Sequence, residues 1–221
     1  MIEREGYAVR EAVFSEVECE MLLRELAENL DLDRAGVRNL MGLAIIERIA
    51  KDARLLSLTQ QLTGTQLIPF KAILFNKTGK ANWLVAWHQD TALPIERDVA
   101  ADGWGPASIK EGVVFSHAPT DVLNEILAFR IHLDPSTSVN GPLRVIPGSH
   151  RHRIKDDVVF RRLIDNGPQV EVTVDRGGVI AMRPLLVHAS SKCVSDEPRR
   201  VLHIEFAPTL QISEGIALAK A

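Results

Sequence analysis

A histidine and an aspartate two positions apart, in residues 87–91 (WHQDT), are the side chains best placed to do chemistry. In an extended strand, residues at this spacing point to the same face. His88 and Asp90 therefore offer one imidazole and one carboxylate side by side. Two histidines and one carboxylate bind non-haem iron(II) and leave coordination positions open for a co-substrate and O₂. The third ligand should be a distant histidine on another strand.

His188, in residues 183–190 (RPLLVHAS), is the best candidate for this third ligand. An oxygenase of this type that uses 2-oxoglutarate also needs a cation for the distal carboxylate, and the planar fork of arginine suits a carboxylate. Arg199 and Arg200 follow His188 after a polar loop and open the next predicted strand. Side chains alternate between the two faces of that strand. Arg199 shares a face with the polar residues His203 and Glu205, whereas Arg200 shares the other face with apolar residues, so the pattern favours Arg199.

The elements that must position these residues change in character at Gly64. The first third reads as helical, with a capping-box pattern at residues 15–18 and a second helical stretch from Leu43 to Leu62 that Gly64 is placed to stop. Short strands with Gly/Pro turns follow. They are predicted near residues 67–75, 83–87, 126–133, 143–146, 171–174, 179–182 and 200–206.

This order predicts a mainly β protein with flanking helices, a double-stranded β-helix (a cupin-like jelly-roll) with N-terminal helices packed outside. We expect one domain over residues 1–221. It comprises a helical front at about 1–64 and a jelly-roll core at about 65–210.

Composition excludes several other classes of protein. The 221 residues are 46% hydrophobic and 25% charged, with a formal net charge of -3, so no basic excess indicates a nucleic-acid partner. No apolar run approaches the roughly 20 residues of a membrane helix, and the charged N-terminus lacks an apolar signal core. Two cysteines are too few for a disulfide framework. We therefore expect a cytoplasmic protein that acts on a small molecule.

Four ordered segments resemble the phytanoyl-CoA dioxygenase family over roughly residues 70–208. They are residues 88–91 (HQDT), 140–150 (NGPLRVIPGSH), 184–190 (PLLVHAS) and 198–200 (PRR). The resemblance implies iron(II), 2-oxoglutarate and O₂, with hydroxylation of an unactivated carbon and release of succinate and CO₂. Carried over by position, it implies that His88, Asp90 and His188 bind iron. It also implies that Arg199, assisted by Ser190, binds 2-oxoglutarate.

Two features depart from this family. Arg130 stands where the namesake enzymes place a tryptophan near the co-substrate, and it could bind either 2-oxoglutarate or an acidic substrate. The connection at about residues 91–125 is longer than in the namesake enzymes and rich in Gly and Pro. We expect it to form a mobile lid without long regular elements, which shapes the choice of substrate.

Two alternatives stay open at this point. A cupin-like metal enzyme could work without 2-oxoglutarate, although such sites often carry more histidines and need no arginine after the last ligand. A non-catalytic binding protein could also keep the jelly-roll, although the intact ligand set argues against it.

Overall fold

The computed structural model describes residues 2–32, 34–78, 82–98 and 100–221, and β-strands dominate these ranges. The helices are α1 (Ile2–Glu5), α2 (Glu16–Asn29), α3 (Ala44–Ala50), α4 (Ala53–Thr63), α5 (Thr120–Glu125) and α6 (Asp157–Asn166). The strands are β1 (Tyr7–Arg10), β2 (Gly36–Val37), β3 (Ile68–Lys77), β4 (Val85–His88), β5 (Ala92–Ile95), β6 (Ala107–Lys110), β7 (Val113–His117), β8 (Leu127–His132), β9 (Leu143–Val145), β10 (Val170–Val172), β11 (Val179–Met182), β12 (His188–Ser190), β13 (Arg199–Ala207), β14 (Gln211–Ser213) and β15 (Ile216–Ala217).

Two antiparallel sheets form the jelly-roll. The larger sheet has six strands in the order β1-β11-β8-β13-β3-β2, and the smaller has four in the order β10-β9-β12-β4. Strand β13 lies between β8 and β3, where His203 is opposite both Arg130 and Ile73. This architecture confirms the predicted class, mainly β with flanking helices.

The front of the chain covers one face of the larger sheet with an apolar layer. In α2 the buried side chains are Cys19, Leu22, Leu23 and Leu26. They belong to one hydrophobic cluster with sheet residues such as Leu74, Ile131 and Leu202. Burying each leucine contributes about 1.5–3 kcal/mol. The predicted capping box is confirmed, because Ser15 N–H donates to the Glu18 carboxylate at 2.8 Å and Glu18 N–H donates to Ser15 Oγ at 3.2 Å.

The predicted boundaries of the front need two corrections. The stretch predicted as one helix is divided into α3 and α4, since the Asp52 side chain accepts a hydrogen bond from Arg54 N–H and caps a new helix. Gly64, with φ of 78°, ends α4 as predicted. The front is also not purely helical, because β1 pairs with β11 and forms an edge of the larger sheet.

The segment at 91–125 also differs from the irregular loop that we expected. It contains a three-stranded sheet in the order β5-β7-β6, followed by α5. Leu93, Ala118 and Leu123 are buried in a second hydrophobic cluster. The strands are short enough for glycines to occupy the turns between them, so glycine content did not exclude regular pairing. No helix in the described ranges combines the length and apolar character that a membrane span requires.

Candidate active site

Three side chains predicted to bind metal converge between two neighbouring strands of the smaller sheet. His188 on β12 is paired directly with His88 on β4, and the two ring centroids are 4.2 Å apart. Asp90 follows β4, with Oδ1 3.6 Å from His88 Nε2 and Oδ2 3.6 Å from His188 Nε2. One potential ligand atom from each residue lies within 4.8 Å of the others. A single ion can therefore contact all three.

Backbone carbonyls orient both imidazoles toward the carboxylate. His88 Nδ1 lies 2.8 Å from the Ala86 carbonyl oxygen, and His188 Nδ1 lies 2.8 Å from the Leu186 carbonyl oxygen. When Nδ1 donates in each ring, the lone pair of Nε2 is free for a metal. The donor set and its orientation both fit iron(II).

The electrostatics favour the protonation states that metal binding needs. Burial lowers the pKa of His188 to about 4, so this ring is neutral at neutral pH. Burial opposes ionisation of Asp90, but the two imidazoles hold the pKa of that carboxyl well below its usual range. Burial also opposes protonation of His88, but the Asp90 carboxylate outweighs it and raises the pKa of His88. A dication would displace that proton on binding.

Arg199 and Ser190 lie together, deep in the same barrel. Arg199 is 3% exposed, and its Nε donates to the Asn140 carbonyl at 3.3 Å. One terminal nitrogen donates to Ser190 Oγ at 3.4 Å, while Nη1 is buried without a hydrogen-bond partner among the described residues. Buried donors are nearly always satisfied. The unpaired nitrogen therefore fits a site for a carboxylate ligand.

Lys77 is a residue of this site that sequence reasoning missed. It ends β3 opposite Arg199, and its Nζ donates to Ser190 Oγ at 2.7 Å and to the Ser191 carbonyl at 2.6 Å. Burial and the charge of Arg199 lower the pKa of Lys77 to about 8. The available signal was a lysine at the end of a mostly apolar strand.

Arg130 is a further buried cation that lines the cavity, at 7% exposure. Its guanidinium lies 5.4 Å from the centroid of the Phe75 ring, and its Nε has no hydrogen-bond partner among the described residues. Burial lowers the pKa of Arg130 to about 10, so the group is charged at neutral pH. A buried cation that forms no ion pair with a carboxylate of the described residues is a second feature that fits an anionic ligand.

The neighbouring arginine, Arg200, faces the opposite side of β13. Its Nε donates to Asp134 Oδ2 at 2.6 Å, its Nη2 donates to Asp134 Oδ1 at 2.8 Å, and its backbone N–H donates to Asp134 Oδ2 at 2.9 Å. This bidentate pair uses the whole fork of the guanidinium. Arg199 and Arg200 therefore occupy opposite faces of the sheet, and only Arg199 lines the cavity.

The cavity lined by the three predicted metal ligands, Arg130, Ser190 and Arg199 has a volume of about 420 Å³. An ion-pair cluster forms part of its wall, in which Lys71 Nζ lies 2.6 Å from Glu205 Oε1 and His203 Nε2 lies 3.2 Å from the same oxygen. Thr91, Lys110, Phe115 and His117 of the 91–125 segment also line the cavity. The segment thus contributes a wall to the site.

The sequence matches the family description Phytanoyl-CoA dioxygenase (PhyH) over residues 2–201. Among curated proteins, the ectoine dioxygenase of Bordetella bronchiseptica is 22% identical over 237 aligned positions, which cover 89% of this chain and 70% of that protein.

Two solved structures are similar in fold to this chain. The epimerase SnoN in complex with Fe³⁺, alpha ketoglutarate and nogalamycin RO has a TM-score of 0.74 at 19% identity, covering 99% of this chain and 83% of that one. EctD from S. alaskensis with 2-oxoglutarate and 5-hydroxyectoine has a TM-score of 0.70 at 23% identity, covering 93% of this chain and 73% of that one.

Proposed function

Because the chain belongs to the phytanoyl-CoA dioxygenase family of non-haem iron, 2-oxoglutarate-dependent dioxygenases, we propose that it hydroxylates an unactivated carbon of a small organic metabolite. The observation that carries the proposal is the convergence of a two-histidine, one-carboxylate set and an unpaired buried arginine in one cavity. We further propose that residues 1–221 act as one oxygenase domain.

In this proposal, His88, Asp90 and His188 hold iron(II). The carbonyls of Ala86 and Leu186 keep each Nε2 directed at the ion, and Asp90 supplies the negative charge that partly balances it. Three protein ligands leave positions open for 2-oxoglutarate and O₂. Iron(II), 2-oxoglutarate and O₂ together supply the oxidising power, and succinate and CO₂ are the by-products.

Arg199 and Ser190 hold the distal carboxylate of 2-oxoglutarate. The unpaired Nη1 of Arg199 gives this carboxylate a charge-assisted donor, and Lys77 adds positive charge from behind Ser190. Arg130 lines the same cavity and is a second cation, either for this co-substrate or for an acidic substrate. These contacts favour 2-oxoglutarate over a cupin-like reaction that needs no such co-substrate.

The ligand set also favours oxygen transfer over halogenation. By the family resemblance, halogenating relatives have a small residue in place of the carboxylate ligand, which leaves room for chloride. Here Asp90 occupies that position, between two imidazoles at 3.6 Å from each. We therefore propose hydroxylation or a related oxidation.

Conversion of 2-oxoglutarate to succinate tests the proposed function without knowledge of the substrate. The purified protein with Fe(II), ascorbate and O₂ should release succinate slowly, and replacement of Fe(II) by Zn(II) should stop the release. A protein that binds Fe(II) but releases no succinate, with or without a panel of small metabolites, would sink the proposal and favour a binding protein.

A further inference from the structure

Two exposed cations, Arg38 and Lys110, line the open side of the cavity. Arg38 follows β2 in the front of the chain, and Lys110 is the last residue of β6. Neither side chain forms an ion pair with any described residue. Arg38 directly follows an edge strand of the larger sheet, and Lys110 lies in the separate three-stranded sheet. Neither is among the residues proposed to bind iron or 2-oxoglutarate.

Hydrogen bonds connect the two backbone segments that carry these cations. The Asn39 side chain donates to the carbonyl oxygens of Lys110 and Glu111 at 3.5 and 3.3 Å. Glu111 and Gly112 both have positive φ, the conformation of a tight turn between paired strands, and this turn holds Lys110 at the end of β6. The backbone next to Arg38 is thereby tied to the hairpin that carries Lys110.

The charges of the cavity do not balance. Its described lining residues include five cationic side chains and two carboxylates, which is an excess of three positive charges. Iron(II) carries two positive charges and 2-oxoglutarate two negative ones, so their joint binding leaves this excess unchanged. Partial desolvation lowers the pKa of Lys110, and the charges of Arg38 and Lys71 lower it further. An additional anion would relieve this repulsion.

We propose that the substrate carries an anionic group, a carboxylate or a phosphate, which Arg38 and Lys110 bind at the open side of the cavity. This inference rests on the proposed function, because it assigns the substrate class of the same site. The anion lies at the surface while the reacting carbon reaches the metal ligands.

The side chains that line the cavity between its open side and the metal ligands indicate the chemical character of the rest of the substrate. Phe115 packs near both ammonium groups, with its ring centroid 5.1 Å from Lys110 Nζ and 5.9 Å from Lys71 Nζ. Ile73, Phe75 and Trp83 also line the cavity. An anionic head with an apolar portion matches this lining.

Calorimetric titration with three probes of equal chain length tests the inference. Hexanoate, hexyl phosphate and neutral hexanamide are titrated into protein loaded with Mn(II), which avoids turnover, and saturated with 2-oxoglutarate. We expect at least one anionic probe to bind more than tenfold tighter than hexanamide. The carboxylate and phosphate arms identify which anion the site prefers.

Variants then assign the preference to these residues. The double variant Arg38→Gln/Lys110→Gln should lose the preference for the anion, and Lys110→Arg should keep it. Lys155→Gln, which removes an exposed lysine that does not line the cavity, is the matched control and should behave as the unchanged protein. A change in intrinsic tryptophan fluorescence, to which the cavity-lining Trp83 contributes, provides a second readout of probe binding.

Three outcomes would overturn the inference. They are no preference for either anion, an unchanged preference in the double variant, and competition of the anionic probe with 2-oxoglutarate. The last would place the anion in the co-substrate position. Failure of the proposed function gives a different result. The Mn(II)-loaded protein would then not bind 2-oxoglutarate, which is measured before any probe is added.

Discussion

His88 and His188 are opposed residues on two antiparallel strands, with ring centroids 4.2 Å apart. The geometry of the candidate metal site therefore depends on the register of β4 and β12. A slip of one residue would turn one imidazole to the other face of the sheet. The backbone N–H of Asp90, which donates to the Pro184 carbonyl at 2.9 Å, helps to fix that register.

Asp90→Ala should remove most of the affinity for iron and most of the succinate release. The change takes away one of three ligands and the negative charge between the two imidazoles. Titration with Fe(II) under anaerobic conditions measures the affinity. Asp98→Ala, at an exposed position outside the cavity, is the control. Full oxygenase activity in Asp90→Ala would remove the assignment of the metal ligands.

Arg199→Ala should weaken 2-oxoglutarate binding far more than Arg200→Ala. Loss of a buried partner for a carboxylate costs about 2–5 kcal/mol of binding, whereas Arg200 is turned away from the cavity and paired with Asp134. The dissociation constant of 2-oxoglutarate, measured on Mn(II)-loaded protein, decides between them. The reverse ranking would mean that the wrong arginine was chosen.

Asp134→Ala should lower the free energy of unfolding by about 3–5 kcal/mol, because it leaves the partly buried Arg200 without a counter-charge. The Asp134 side chain is 3% exposed and accepts from both Arg200 and Arg176. Glu20→Ala also removes a carboxylate near Arg176, but Glu20 is 53% exposed. This control should cost no more than about 1 kcal/mol. Equal losses in urea unfolding would contradict a structural role for Asp134.

The affinity for 2-oxoglutarate should fall as the pH rises through about 8. Burial and the charge of Arg199 lower the pKa of Lys77 to about 8 in the free protein. Lys77 is therefore a cation below this pH and neutral above it, and a nearby carboxylate binds better to the cation. Titrations on both sides of pH 8 measure the effect. In Lys77→Met this step should disappear, and a step that persists would have another origin.

The residues proposed to bind iron and 2-oxoglutarate were easier to predict from sequence than the strand pairing around them. The two-residue spacing of His88 and Asp90 and the alternation of β13 are local patterns, and the strand period alone decides which side chains share a face. The register that pairs His188 with His88 is a long-range property, which local patterns do not contain.

Lys77 and the sheet within the 91–125 segment were missed for related reasons. A lysine at the end of a mostly apolar strand is typical of an exposed edge residue, and only the pairing of β3 with β13 places Lys77 beside Arg199. Gly and Pro indicated turns, but the strands between those turns are short, and β5 pairs with β7 rather than with the next strand in the chain, β6.

The hairpin that carries Lys110 has a consequence for how this enzyme could diversify. The residues proposed for iron and 2-oxoglutarate lie on or beside inner strands of the barrel, whereas Arg38 follows the edge strand β2 and Lys110 lies on the separate hairpin, joined to it through Asn39. With the proposed binding mode, substitutions in the hairpin would alter substrate preference while the residues proposed for iron and 2-oxoglutarate stay intact. In laboratory evolution, residues 107–113 are therefore the place to randomise first when a new substrate is sought.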